Sequence, residues 1–220
     1  QMVDEIIMDE EQDIEFSVYL TLPELAPELP LDTIPLALLS HGWGYPVYDE
    51  YTDWISYLAA RGIAVAFVQY PSHIDPPIPE GLKGIDVEGA SNYPHHEYRA
   101  MAIAAALDTV QNIALNESRH SSVDAALGNV TINPSHLWIG GHSLGGAYTF
   151  VQLYESMERG WGTETLFFNI ESGWTRPNQA QLQPNRSRMP ADTMVPIARG
   201  VDDITVDACY SVHPQQVYSA

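Results

Sequence analysis

Ser143 stands in the run Gly141-His142-Ser143-Leu144-Gly145-Gly146, with a glycine two places before it and another two places after. A serine hydroxyl becomes a useful nucleophile when a tight turn lifts it clear of the backbone and a base takes its proton. Glycines on either side let the strand that enters the turn and the helix that leaves it approach closely. The opening helix adds unpaired N–H groups and the positive end of its dipole, both favourable to a developing anion. The chemistry suited to such an arrangement is nucleophilic acyl transfer. The five-residue pattern alone also occurs as an ordinary glycine-rich turn, so its weight comes from the elements around it. His142 is not a candidate base, because adjacent side chains on such a turn diverge.

A second group of residues fits the same chemistry. Leu36-Ala37-Leu38-Leu39 is a continuous apolar run that ends in Ser40-His41-Gly42-Trp43-Gly44, about a hundred residues before Ser143. Acyl transfer needs two N–H donors aimed at the oxygen of the tetrahedral intermediate, and the loss of one costs about 3 kcal/mol. The N–H of Leu144 is one candidate. The N–H of Trp43 is the other, with Gly44 behind it. The Trp43 ring either walls an acyl pocket or packs in the core.

These residues need a scaffold, and the hydrophobic pattern describes one. Ile14 to Leu22 reads as a strand with Val3 to Met8 as its partner, followed by a proline-rich acidic loop from Pro23 to Pro35. Leu36–Leu39, Ile63–Val68, Leu137–Gly140, Leu166–Ile170 and Val195–Ala198 read as buried strands. Tyr51, Trp54, Ile55 and Leu58 lie at helical spacing and Gly62 closes that helix. Ser72 to Tyr93 reads as a loop, His95 to Asn116 as a well-covered helix, and Leu144, Ala147, Tyr148, Val151 and Tyr154 as the face of another. Apolar strands alternating with helices predict an open, mostly parallel sheet covered on both faces, in one domain over residues 1–220.

Three stretches together resemble the α/β-hydrolase superfamily: Ser40-His41-Gly42-Trp43, Leu58-Ala59-Ala60-Arg61-Gly62-Ile63-Ala64-Val65, and Gly141 to Gly146. Within it the chain is most similar to a branch of polyester-degrading cutinases, chlorophyllases, dienelactone hydrolases and platelet-activating-factor acetylhydrolases. The helix with Tyr98-Arg99-Ala100-Met101 and Ala104-Ala105-Ala106-Leu107 fits that branch, and the similarity runs from about Ile34 to Val206. The resemblance implies a three-layer α/β-hydrolase fold and the chain order Ser, then Asp or Glu, then His. Val195 to Val206 resembles the segment where cutinase-like members carry the acid, and the position three residues after the small Gly200 is Asp203, with Asp202 as the near alternative. Acetylhydrolase-like members place the acid one strand earlier, which makes Glu171 the rival. In either case the carboxylate holds the imidazole in its working tautomer and stabilises the imidazolium.

The base is the weak point of the pattern. His213 is the one histidine after Asp203, and relatives separate acid and base by a helix and a further strand. A parallel crossover takes about a dozen residues, more than the nine between Asp203 and His213. The expectation is therefore that the chain lacks its C-terminal strand and helix and that the base lies beyond Ala220. The alternative is that His213 reaches the site by an unusual route. His41 belongs to the Trp43 loop, His120 and His136 precede the nucleophile strand, and His73 reads as a loop residue. His95-His96-Glu97 has the composition of a metal site, but neighbours at one helix start do not converge on one ion.

Composition narrows the partners. The formal charge is −20, with 29 acidic residues against nine basic ones and Lys83 as the single lysine. A surface so acidic argues against nucleic acid and anionic membranes. No segment approaches the ~20 apolar residues of a membrane span. Cys209 is the only cysteine, so neither an internal disulfide nor a cysteine metal site is available. Asn116-Glu117-Ser118, Asn129-Val130-Thr131 and Asn185-Arg186-Ser187 match the glycosylation pattern and lean toward secretion over the cytoplasm. The expected reaction is hydrolysis of a small-molecule or polymeric ester through an acyl-enzyme on Ser143, with no cofactor. The alternatives are thioester, lactone or peptide cleavage on the same fold, or a hydrolase fold used only for binding. The sequence does not set the oligomeric state.

Overall fold

The computed structural model describes residues 2–9, 14–25, 32–42, 47–70, 96–116, 120–171 and 197–198. Within them lie β1 (Met2–Asp9), β2 (Ile14–Thr21), β3 (Thr33–Ser40), α1 (Thr52–Ala59), β4 (Ala64–Gln69), α2 (His96–Val110), α3 (Ser121–Leu127), β5 (Thr131–His142), α4 (Leu144–Glu158), β6 (Thr165–Glu171) and β7 (Ile197–Ala198). The strands form one sheet in the order β1-β2-β4-β3-β5-β6-β7. β1 and β2 run as an antiparallel pair, β2 meets β4 antiparallel, and every later pairing is parallel. This is the mostly parallel sheet that the apolar runs predict.

The runs lack polar alternation because both faces of the sheet are covered. Leu36, Leu38, Ala64, Ala66, Val68, Leu137 and Ile139 pack on one side with Ala102, Ile103, Ala106 and Leu107 of α2 and Tyr148 and Leu153 of α4. Ala37, Leu39, Val65 and Phe67 face the other way, against Tyr51 and the α1 residues Ile55 and Leu58. Each fully buried Leu, Val or Phe contributes about 1.5–3 kcal/mol, which makes these two layers the main stabilising term. Trp138 also belongs to the α1 face: its indole covers Gly140 on the same strand, and its ring meets Trp54 edge-on at 5.7 Å.

The connectivity creates a crevice. From β3 the chain passes to β4 on one side and later to β5 on the other. Ligand sites of open α/β sheets lie where neighbouring connections diverge, outside the carboxyl ends of the strands. The strand ends at that point are Ser40, followed by His41 and Gly42, and His142, followed by Ser143.

Four boundaries differ from the sequence reading. β3 starts at Thr33, so Pro35 lies inside a strand and not in the loop before it. Pro35 is opposite Asn133 whereas Leu36 is opposite Leu137, so the proline's missing N–H falls at a register shift, where a strand tolerates it. β5 starts at Thr131 and carries Pro134 across the same irregularity; the carbonyls of Pro134 and Ser135 accept from Gly162 and Glu164. α2 closes in a wider turn over Gln111–Leu115, where the Asn116 N–H reaches back to the Gln111 carbonyl. α3 has no counterpart in the sequence reading; the His120 ring accepts from the Ser122 N–H at its start, and Gly128 takes a positive φ of 57° at its end.

One helix face also differs. Tyr154, taken as inward, is 47 % exposed, and α4 instead buries Tyr148, Thr149, Gln152, Leu153 and Ser156. Three of those five are polar, and apolar periodicity does not count them. Among the described residues no helix is long and apolar enough to cross a membrane.

Candidate active site

β5 ends at His142 and α4 begins at Leu144, which leaves Ser143 as the whole turn between them. Its backbone sits at φ 54° and ψ −118°, the only non-glycine with positive φ among the described residues. A serine held there costs about 1–3 kcal/mol and persists only because its surroundings fix it. The glycines are that surround. A Cβ on Gly141 would lie 2.2 Å from the Gly145 carbonyl oxygen, and one on Gly145 would lie 2.2 Å from the Ser40 carbonyl oxygen. Any side chain at either position would push strand and helix apart and open the turn. The Leu144 N–H, one of the two expected oxyanion donors, is thereby placed in the first turn of α4, where helix N–H groups lack helical partners.

The loop after β3 comes to the same place. A Cβ on Gly42 would stand 3.2 Å from the Ser143 Cβ and 2.9 Å from the His142 Nδ1. The buried Gly42 N–H donates to the Tyr51 hydroxyl at 2.8 Å, and that hydroxyl lies 3.0 Å from the His142 Nδ1. Gly42 thus has its donor committed to Tyr51. His142 faces Tyr51, consistent with its exclusion as the base.

Beneath this loop His41 is completely buried. Its Nδ1 is 2.8 Å from the Gly42 carbonyl oxygen and its Nε2 is 2.9 Å from that of Tyr70. Burial lowers its pKa to about 4, against the pull of those two carbonyls and with help from the nearby Arg99 charge. The ring is neutral at pH 7 and stacks on Tyr70 at 3.8 Å. The Tyr70 hydroxyl donates to the His41 carbonyl, and burial, then Tyr148, hold its pKa well above the usual phenol range. Being neutral, the His41 ring donates to only one of the Gly42 and Tyr70 carbonyls, and His41 is a buried structural part of the loop.

Other predicted residues are placed only in part. Trp43, Gly44, Asp202, Asp203 and His213 lie outside the described residues. Glu171 is the last residue of β6, in register with His142 on one side and Ala198 of β7 on the other. His120 caps α3, and His136 pairs with Glu164 at 2.9 Å near the start of β5. Both are remote from the strand end that carries Ser143, as the sequence order implies. His73 and His95, and the side chains of His96 and Glu97, are outside the description; among the described residues no group of three His, Cys, Asp or Glu could hold a metal.

Sequence reasoning missed Tyr51 as a partner of the Gly42 loop and Arg99 as a buried charge near His41. Tyr51 looks like one more apolar position of a helix, but a buried tyrosine brings a hydroxyl that must be partnered. Arg99 stands fully buried in an alanine-rich helix, and a buried arginine is rare enough to be a signal.

The sequence matches no protein-family model and no curated protein. Solved structures do match. A protein assigned as a carboxylesterase from Lactobacillus plantarum aligns over 99 % of this chain and 82 % of its own, with TM-score 0.57 and 10 % identity. Another structure aligns over 95 % of this chain and 73 % of its own, with TM-score 0.50 and 12 % identity. A hyperthermophilic esterase from the archaeon Pyrobaculum calidifontis aligns over 77 % of this chain, with TM-score 0.45 and 15 % identity. This chain spans 44 % of that esterase, and 50 % and 39 % of two further esterases that it matches. The strand order, the turn at Ser143 and the match over nearly the whole chain give one conclusion: the chain has the α/β-hydrolase fold.

Proposed function

We propose that the chain is a serine hydrolase that cleaves carboxylic esters through an acyl-enzyme on Ser143. The observation that carries this reading is the Ser143 backbone, held at φ 54° between two glycines that admit no side chain and facing the Gly42 loop. A fold has no structural use for a strained serine there, whereas a nucleophile does.

In this reading Ser143 loses its proton to a histidine and attacks the ester carbonyl. The N–H groups of Leu144 and Trp43 hold the oxyanion, and the commitment of the Gly42 N–H to Tyr51 supports Trp43 as the second donor. Water then releases the acid. Asp203, which follows β7 in the sequence, orients the base, with Asp202 and Glu171 as rivals. His213 is the candidate base within the chain. The ester class agrees with the assignment of the Lactobacillus plantarum neighbour. The resemblance to cutinase-like polyesterases directs the choice of substrates toward apolar and aromatic acyl groups, small or polymeric. The reaction needs no cofactor.

A fluorophosphonate probe on the full-length protein tests the reading. Wild type is expected to be labelled and Ser143→Ala not. A panel of p-nitrophenyl esters then sets the acyl length. Absence of labelling supports a binding role for the fold; labelling with peptidase but no esterase activity rejects the ester class.

A further inference from the structure

We infer that Tyr51 is a positioning residue that ties the oxyanion loop to the nucleophile turn, an inference that rests on the serine-hydrolase reading. Two segments must be held in register for the oxyanion hole to exist. One is the loop after β3, which carries the Trp43 N–H; the other is the start of α4, which carries the Leu144 N–H. They come from strands about a hundred residues apart in sequence, and Gly42 and His142 are their meeting point.

Tyr51 bridges the two. Its hydroxyl receives the Gly42 N–H at 2.8 Å and shares a hydrogen with the His142 Nδ1 at 3.0 Å. One oxygen is thus bonded to the residue before Trp43 and to the residue before Ser143. The ring is anchored independently of both: it is 6 % exposed, packs on Phe67 of β4 at 5.1 Å between centroids, and sits just ahead of α1. The hydroxyl therefore projects from a rigid base. The bond holds the His41–Gly42 peptide unit, directly before the unit that carries the Trp43 N–H. Displacement of an oxyanion donor is felt in the transition state and not in substrate binding, because the ground-state carbonyl relies on it far less.

Tyr51→Phe removes the hydroxyl and keeps the ring, so the contact with Phe67 and the fold are retained. The variant and wild type, both full-length, are compared after active-site titration with a fluorophosphonate, so that rates are per competent site. Expected is a fall in kcat of roughly ten- to a hundredfold, below the ~10²–10³ that follows deletion of a donor outright. KM should stay within about twofold, and inhibition by phenylboronic acid, whose tetrahedral adduct uses the same hole, should weaken in step with kcat/KM. Gly42→Ala, which crowds His142 at 2.9 Å, should reproduce the pattern. An unchanged kcat per titrated site, or a rise in KM alone, overturns the inference. A wild type that the probe does not label overturns the underlying reading and this inference with it, so the two failures are separable.

Discussion

Ser40 and Gly145 touch backbone to backbone: a methyl group at residue 145 would lie 2.2 Å from the Ser40 carbonyl oxygen. The end of β3 and the first turn of α4 are in contact with no side chain between them. That closeness brings the Gly42 loop up to Ser143.

The first prediction follows from that contact. Gly145→Ala and Gly141→Ala place a carbon against backbone atoms that have no rotamer to change. Overpacking costs about 1–3 kcal/mol and more where backbone must move. Each variant should lose about 5–10 °C in thermal midpoint, given about 2–4 °C per kcal/mol for a chain of this size. A midpoint within a degree of wild type in a thermal melt would show that strand and helix are farther apart.

Ser143 predicts the opposite sign. Glycine adopts a positive φ without penalty, so Ser143→Gly should be more stable than Ser143→Ala by about 1 kcal/mol. Both should lose fluorophosphonate labelling. Urea denaturation of the pair measures the difference directly, and equal midpoints would mean that the turn is not strained. A site that gains stability when its function is removed is typical of active centres.

His41 gives a pH dependence whose sign is set by burial. Its pKa is lowered to about 4 in the folded chain from an unfolded value of 6.5. The unfolded state therefore binds the extra proton between those values, and stability rises with pH across that window. The contribution, a few kcal/mol from a shift of this size, is complete above pH 6.5 and is lost as pH falls toward 4. Histidine Cε1–H resonances followed by NMR, with His41→Gln identifying the signal, should show the His41 ring still neutral at pH 5.5. If the signal lost in that variant titrates near pH 6.5, the loop histidine is not buried.

The triad acid can be assigned by comparison. On the proposed serine-hydrolase reading, Asp203→Asn should lower kcat by roughly 10³–10⁴-fold, as loss of the orienting carboxylate does in serine hydrolases. Asp202→Asn and Glu171→Gln should stay within about tenfold of wild type. The reverse ranking of Glu171 and Asp203 would move the acid to the end of β6. His213→Ala in the same assay tests His213 as the base.

Much of this was legible in the sequence because burial on both sheet faces leaves a plain mark. Leu36–Leu39 and Ala64–Val68 are apolar without interruption and lie in the sheet as read. The turn at Ser143 was legible because its glycine frame is a steric requirement, and the backbone there takes the positive φ of a tight strand-to-helix turn. Pro35 and Pro134 misled the boundaries, since a proline normally ends a central strand and a register shift between the two strands is invisible in either strand alone. Tyr154 was placed inward because α4 buries Thr149, Gln152 and Ser156, which apolar periodicity does not count. Tyr51 escaped notice because its role is a hydroxyl bond to residues distant in sequence, and the ring alone reads as core.

The indole of Trp138 lies over Gly140 and meets Trp54 at an interplanar angle of 82°. Two indoles at this distance couple their electronic transitions, and one of them is on the strand that ends at Ser143. The protein thus carries an optical gauge of β5. Its circular-dichroism signature in the aromatic region should vanish in Trp54→Phe, and in the intact chain it reports whether α1 is seated against the strand that ends at the Ser143 turn.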